Sequence, residues 1–284
     1  MSRYYRLVVS CPDQVGIVAR VANFIAQQGG SITEASQHSD LETGRFFMRY
    51  EILADSLAMG PDAFSEAFCP VADEFQMDWA VTDTAKRPKV VIMVSKESHC
   101  LVDLLYRWQV GELACDIVGV LSNHDDMRSL TEWYGIPYQH IPVNPDDKQP
   151  AFDAVEAQVE TLQADCVILA RYMQILPPAL CERLSGRVIN IHHSFLPSFA
   201  GAKPYHQAYQ RGVKLIGATC HYVTEELDAG PIIEQDIHRV THCHTPKDLV
   251  RFGRDVEKSV LARGVRWHLE DRVIIHGNKT VVFN

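Results

Sequence analysis

Asn190, His192 and Asp228 are the residues of this chain whose types and spacing could do chemistry. The first two stand two positions apart in an apolar run, VINIH (188–192), so on an extended strand they share a face. Asp228 comes further along, in the tight Ala-Gly-Pro turn of LDAGPIIEQD (227–236). An amide can donate to a developing oxyanion, an imidazole can polarise or protonate, and a carboxylate can take a proton from a nucleophile. Together they are what acyl transfer needs. Taken singly, each has a plainer reading. A strand-end histidine often satisfies backbone carbonyls, Asn190 could be a turn former, and Asp228 could make an ordinary Asx turn. His193 points to the opposite face if the strand persists and reads as structural.

Elements that could position these groups are legible on both sides. Residues 3–10 read as a strand, and Asp13 as the cap of a helix carrying Val15, Ile17, Val18, Val21, Phe24 and Ile25, ended by Gly29 and Gly30. Strands at 31–39 and 45–53, a helix opened by Pro61 and a strand at 75–83 complete a βαββαβ order, the ferredoxin-like arrangement. A polar stretch ending in Pro88 reads as a linker, which sets domains at 1–82 and 89–284 joined by 83–88. From Lys89 strands alternate with helices, predicting an α/β domain with a doubly wound, mostly parallel sheet. The strands at 215–223 and 231–240 are joined by a short turn, so the sheet is mixed at that end. A long helix over 246–269 and a hairpin turning at Gly277-Asn278 close the chain. Because open α/β sheets bind ligands beyond the carboxyl ends of their strands, Asn190 and His192, Arg171 to Met173, and Asp228 to Gly230 are expected on one rim.

Composition narrows the partners. A formal charge of −9 speaks against a nucleic-acid backbone or an anionic membrane as the main partner. The eight cysteines form no CxxC pair and most lie in apolar runs, as reduced thiols of a cytoplasmic protein would. No signal-peptide pattern or membrane-length apolar run is present. Thirteen histidines invite a metal, but His242-Cys243-His244 has no second cluster at ligand spacing, so none is expected.

Residues 190–209, NIHHSFLPSFAGAKPYHQAY, and 219–233, TCHYVTEELDAGPII, resemble the folate-dependent formyltransferase family, and the likeness extends from Lys89 onward. The stretch 11–32, CPDQVGIVARVANFIAQQGGSI, resembles an ACT regulatory domain. An ACT domain in front of such a catalytic domain is similar to the deformylase branch, as is the run from Arg254 to Phe283. The resemblance implies hydrolysis of 10-formyltetrahydrofolate to formate and tetrahydrofolate, with the folate as substrate and no further cofactor. It carries the catalytic set onto Asn190, His192 and Asp228. It places Arg171, Tyr172, Met173, Ile175 and Leu176 on one wall of a folate slot, backbone from Leu227 through Ala229 to Gly230 on the other, and His221 in support. Packing in the core is the plainer reading of Met173 and Leu176. Ser198, Phe199, Lys203 and Tyr205 would shape access.

Residue logic adds to this. The stretch 94–105, VSKESHCLVDLL, holds no glycine where the ribonucleotide-using relatives need a phosphate-cradling loop, so water is the expected acceptor. Lys96 or His99 could still hold an anion, or be solvated or capping. The alternatives are a formyltransferase with an amine acceptor and a non-enzymatic sensor. For the ACT domain the resemblance implies glycine or methionine as effectors near Asp13, Gly16, Ile17, Gly29, Gly30 and Ser31, with a purely architectural role as the alternative, and a homo-oligomer.

Overall fold

Burial alternates strictly along Tyr4–Pro12, the mark of a strand with one face on a core. In the computed structural model, which describes residues 2–197 and 204–284, this is β1. It is followed by α1 (Ile17–Gln27), β2 (Ser31–Asp40), β3 (Arg45–Leu53), α2 (Pro61–Glu74) and β4 (Asp78–Asp83). The sheet order is β2-β3-β1-β4, with every neighbour antiparallel. Phe24 of α1 meets Phe64 and Phe68 of α2 edge-on at 5.5 and 5.4 Å over Leu7, Val9, Met48 and Ile52. The expected helix cap is corrected: Asp13 makes no cap, and Gly16 occupies the N-cap position at φ +100°, a left-handed conformation glycine adopts freely.

The chain divides into two compact units. One comprises residues 1–87, 270–276 and 281–284, the other 88–269 and 277–280. The sequence reading assigned everything after residue 88 to the second domain; most of the C-terminal hairpin, β12 (Val273–His276) and β13 (Lys279–Val282), groups with the first instead. The reason lies in β3, which is buried on both faces. Its second face presents Phe47, covered by Ile274 and Phe283, and Arg49, fully buried between Glu34 and Glu51 with the Glu270 carbonyl accepting from Nε.

The second unit runs β5 (Lys89–Val94), α3 (His99–Gln109), β6 (Asp116–Ser122), α4 (Arg128–Trp133), β7 (Tyr138–His140), α5 (Gln149–Thr161), β8 (Cys166–Leu169), α6 (Pro178–Arg183), β9 (Val188–His192), α7 (Pro204–Arg211), β10 (Leu215–Tyr222), β11 (Ile232–Arg239) and α8 (Pro246–Leu269). The sheet order is β11-β10-β9-β8-β5-β6-β7. From β9 to β7 all pairs are parallel, while β10 is antiparallel to both β9 and β11. The central strands are near-continuous apolar runs because helices cover them. The order reverses between β5 and β8, where a doubly wound sheet opens a crevice.

Candidate active site

Strand pleating puts Asn190 and His192 on one face of β9, and the antiparallel register sets His221 of β10 opposite Asn190. Nδ2 of Asn190 lies 3.1 Å from Nε2 of His221, whose Nδ1 lies 2.9 Å from the Tyr222 carbonyl. A carbonyl only accepts, so the His221 proton sits on Nδ1, and Nε2 accepts from the Asn190 amide. His192 Nε2 is 3.2 Å from Oδ2 of Asp228, and Ser194 Oγ is 3.1 Å from its Nδ1. Asp228 Oδ1 stands 3.8 Å from His221 Nε2. Two stretches remote in sequence, 190–194 and 221–228, thus meet around one point.

The route by which Asp228 arrives differs from the expected carboxyl rim. Because β10 runs against β9, its end lies at the start of β9, with Val223 N donating to Val188 O at 2.9 Å. The loop after β10 therefore doubles back to reach His192, and Asp228 takes a left-handed φ of +57°, a conformation Asp tolerates better than most residues. Gly230 lets the loop pass, since a Cβ there would stand 1.8 Å from the Tyr222 carbonyl oxygen. Ala229 and Gly230, expected as backbone partners of a ligand, do not line the cavity. The chain has already turned toward β11 there, with Tyr222 N donating to Pro231 O.

A cavity of about 540 Å³ opens beside the three groups, within the range of small-molecule sites. Arg171, Tyr172, Met173, Ile175 and Leu176 line one side, and Leu227 and Asp228 another. Met173, Ile175 and Leu227 are more than half exposed, so Met173 is no core residue, whereas Leu176 is buried. Ser95 holds the wall: its Oγ accepts from Met173 N at 2.9 Å and donates to Asn123 Oδ1 at 2.6 Å, and its N donates to the Arg171 carbonyl. Ser198, Phe199 and Lys203 lie outside the described residues.

Electrostatics favour an ionised Asp228. Burial works against its charge, but the hydrogen bond from His192 holds its carboxyl below the usual range. Burial lowers His221 and keeps it neutral, and raises Tyr172 to about 12.

Sequence reasoning passed over a second group on the same cavity. Strand alternation does not extend past His192, so His193 is not turned away but lines the cavity, its ring 5.2 Å from that of His192. Glu257 of α8 is buried and accepts from His99 Nε2 at 2.7 Å and the Tyr205 hydroxyl at 2.5 Å, with Arg171 Nε at 3.5 Å. Its signal was readable: a glutamate on the i, i+4 stripe formed by Leu249, Gly253 and Leu261 is a carboxylate aimed at the core. Gly253 makes room for Tyr205, whose ring a Cβ would meet at 2.1 Å. His99, Cys100 and Glu257 are the grouping of metal-ligating types among the described residues. They fit an ion poorly, because His99 and Glu257 already bond each other and burial raises the Cys100 thiol well above its ordinary value.

Burial pushes His193 and His268 down to about 4, the former helped by Arg171. Their neutral forms are the folded forms, so the unfolded chain takes up protons first, near 6.5. The stability these groups contribute is complete above that pH and is lost as pH falls toward 4, at up to about 1.4 kcal/mol per pH unit for each. A melting temperature that falls from pH 7 to pH 5 is expected. His268→Gln, which keeps a partner for the Tyr222 hydroxyl, is expected to flatten the slope in thermal denaturation.

Comparison with known proteins agrees with this architecture. A family model described as formyl transferase matches residues 88–265, and an ACT domain model matches residues 5–57. A formyltetrahydrofolate deformylase from Corynebacterium sp. (strain P-1) is 50% identical over 276 residues, covering 97% of this chain and 96% of its own. The crystal structure of a formyltetrahydrofolate deformylase from Pseudomonas syringae superposes with a TM-score of 0.99 at 65% identity, over 100% of this chain and 95% of its own. A glycinamide ribonucleotide transformylase from Symbiobacterium toebii, 26% identical with a TM-score of 0.66, covers 70% of this chain and 95% of its own. The second unit thus has the fold of a formyl-transferring enzyme. With the ACT unit before it and relatives aligned along nearly the whole chain, the protein belongs to the formyltetrahydrofolate deformylase family.

Proposed function

We propose that this protein hydrolyses 10-formyltetrahydrofolate to formate and tetrahydrofolate, supplying formate for purine synthesis and balancing one-carbon folate pools. The observation that carries the reading is the 3.2 Å approach of Asp228 Oδ2 to His192 Nε2 beside the oriented Asn190 amide, on a cavity with exposed apolar walls. The pterin lies along the 171–176 wall, and the N10 formyl group of the folate, one methylene beyond the pterin, meets these residues. Asp228 takes a proton from water as the water oxygen bonds to the formyl carbon. Charge moves onto the carbonyl oxygen, where the free N–H of Asn190 donates. Protonation of Asp228 weakens its hold on the His192 N–H, which turns to the same oxygen. Collapse breaks the C–N10 bond, N10 receives the proton, and formic acid ionises to formate.

Water is the acceptor in this reading because the segment after β5 has no glycine loop and His99, at the start of α3, is bonded to Glu257. Purified protein given 10-formyltetrahydrofolate alone is expected to release one formate per folate consumed. Formate release that requires an added amine would make the protein a transferase. No described helix is long and apolar enough to cross a membrane, which suits a cytoplasmic enzyme. The ACT unit suits control by glycine or methionine in a homo-oligomer. The residues named for the effector fall at the two ends of α1, Asp13, Gly16 and Ile17 at one and Gly29, Gly30 and Ser31 at the other. A helix of 11 residues separates these ends by about 16 Å, so a small amino acid would touch one end of α1 in a given chain.

A further inference from the structure

Hydrolysis makes no use of the Arg171 guanidinium, one of several charged groups on the cavity. Arg171 follows β8, the strand paired in parallel with β9, where Leu169 stands opposite Asn190. Glu257 orients its guanidinium: one carboxylate oxygen takes the Tyr205 hydroxyl, and the other takes His99 Nε2 and lies 3.5 Å from Arg171 Nε. Among the described residues, Nη1 and Nε of Arg171 are buried and have no hydrogen-bond acceptor, although the side chain lines the cavity. Buried guanidinium donors without an acceptor are costly, and their planar fork matches a carboxylate. The reaction makes a carboxylate beside the ionised Asp228, which repels it. The guanidinium and the centre share one cavity, which Arg171 lines together with Asn190, His192, His193 and Asp228.

We propose that Arg171, held by Glu257, forms a product subsite that takes the formate anion as it leaves the Asn190–His192–Asp228 centre. The inference rests on the hydrolytic reading for the source of its ligand. It assigns Glu257 a positioning role and gives the small carboxylate a place apart from the folate.

Binding of ¹³C-formate, followed by NMR line broadening on the tetrahydrofolate-saturated protein, tests this without turnover. Formate is expected to bind with folate present, to be displaced by nitrate, a planar anion of similar shape, and not by chloride at equal concentration. Arg171→Met is expected to weaken formate at least tenfold, and Arg171→Lys by less because a point charge replaces the fork. Glu257→Gln keeps the volume and the Tyr205 bond but removes the orienting charge, and a severalfold loss is expected; it decides the matter if Arg171→Met does not fold. Displacement of formate by tetrahydrofolate would mean that Arg171 serves the folate's own carboxylates, and equal competition by chloride would mean an adventitious ion only. Either result, or unchanged binding in the folded variants, overturns the subsite. Loss of turnover in the native protein with formate binding intact would instead overturn the hydrolytic reading alone.

Discussion

Asp228→Asn is expected to fold normally, to bind tetrahydrofolate, and to hydrolyse 10-formyltetrahydrofolate with a kcat lower by about 10²–10⁴, the range a general base supplies. Asparagine is the informative replacement because of the backbone. Asp228 sits at φ +57°, which Asn adopts readily and Ala does not, so an alanine variant would mix lost chemistry with loop strain. The amide oxygen of the Asp228→Asn variant still accepts from His192 Nε2, which preserves the 3.2 Å contact. What disappears is the capacity to take a proton. The native carboxyl is held below its ordinary range, so it stays ionised as pH falls past the usual carboxylate pKa. The acid limb of the native kcat profile should lie correspondingly low, and the variant should lack it. Stopped formate assays with a melting curve for each protein check both parts. A folded Asp228→Asn protein with native kcat would remove Asp228 from the reaction.

How much of this was readable beforehand depends on the range of the interaction. Short-range regularities were plain in the sequence: α8 begins at Pro246 and ends at Leu269, and β3 covers Arg45–Leu53, because apolar period and turn residues mark such boundaries directly. Asn190 and His192 were legible for the same reason, a two-residue spacing on a strand. Asp228 was marked by its motif, but its path was not, since a strand's direction in a sheet depends on pairing with a neighbour. The hairpin of β12 and β13 was assigned by chain continuity, whereas Phe47, more than 200 residues earlier, decides where Ile274 and Phe283 bury. His193 was misread by carrying strand alternation one residue too far. The Glu257 cluster was missed because four side chains on four segments become one network only once packed, although the glutamate's place on an apolar stripe was a clue.

Asn190→Ala is expected to lower kcat by about 10²–10³, the usual loss for one oxyanion donor. His221 fixes the orientation of the Asn190 amide. That ring is 2% exposed, and burial keeps it neutral. Its proton is committed to the Tyr222 carbonyl, so its Nε2 can only accept, and the Asn190 amide must present NH₂ rather than oxygen to it. One N–H goes to His221 and the other is left for the reacting carbonyl, without any reorganisation when charge develops. Truncation removes both. It also leaves His221 Nε2 without its donor, a cost of about 1–3 kcal/mol in stability, so melting temperature must be followed beside rate. Asn190→Asp separates donor chemistry from shape: it keeps the volume, turns the donor into an acceptor, and sets a second negative charge near Asp228. If Asn190 only filled space, the aspartate variant would work. If it donates to the oxyanion, that variant should be at least as slow as the alanine one, with the loss in kcat and not in KM, because the developing charge exists only in the transition state.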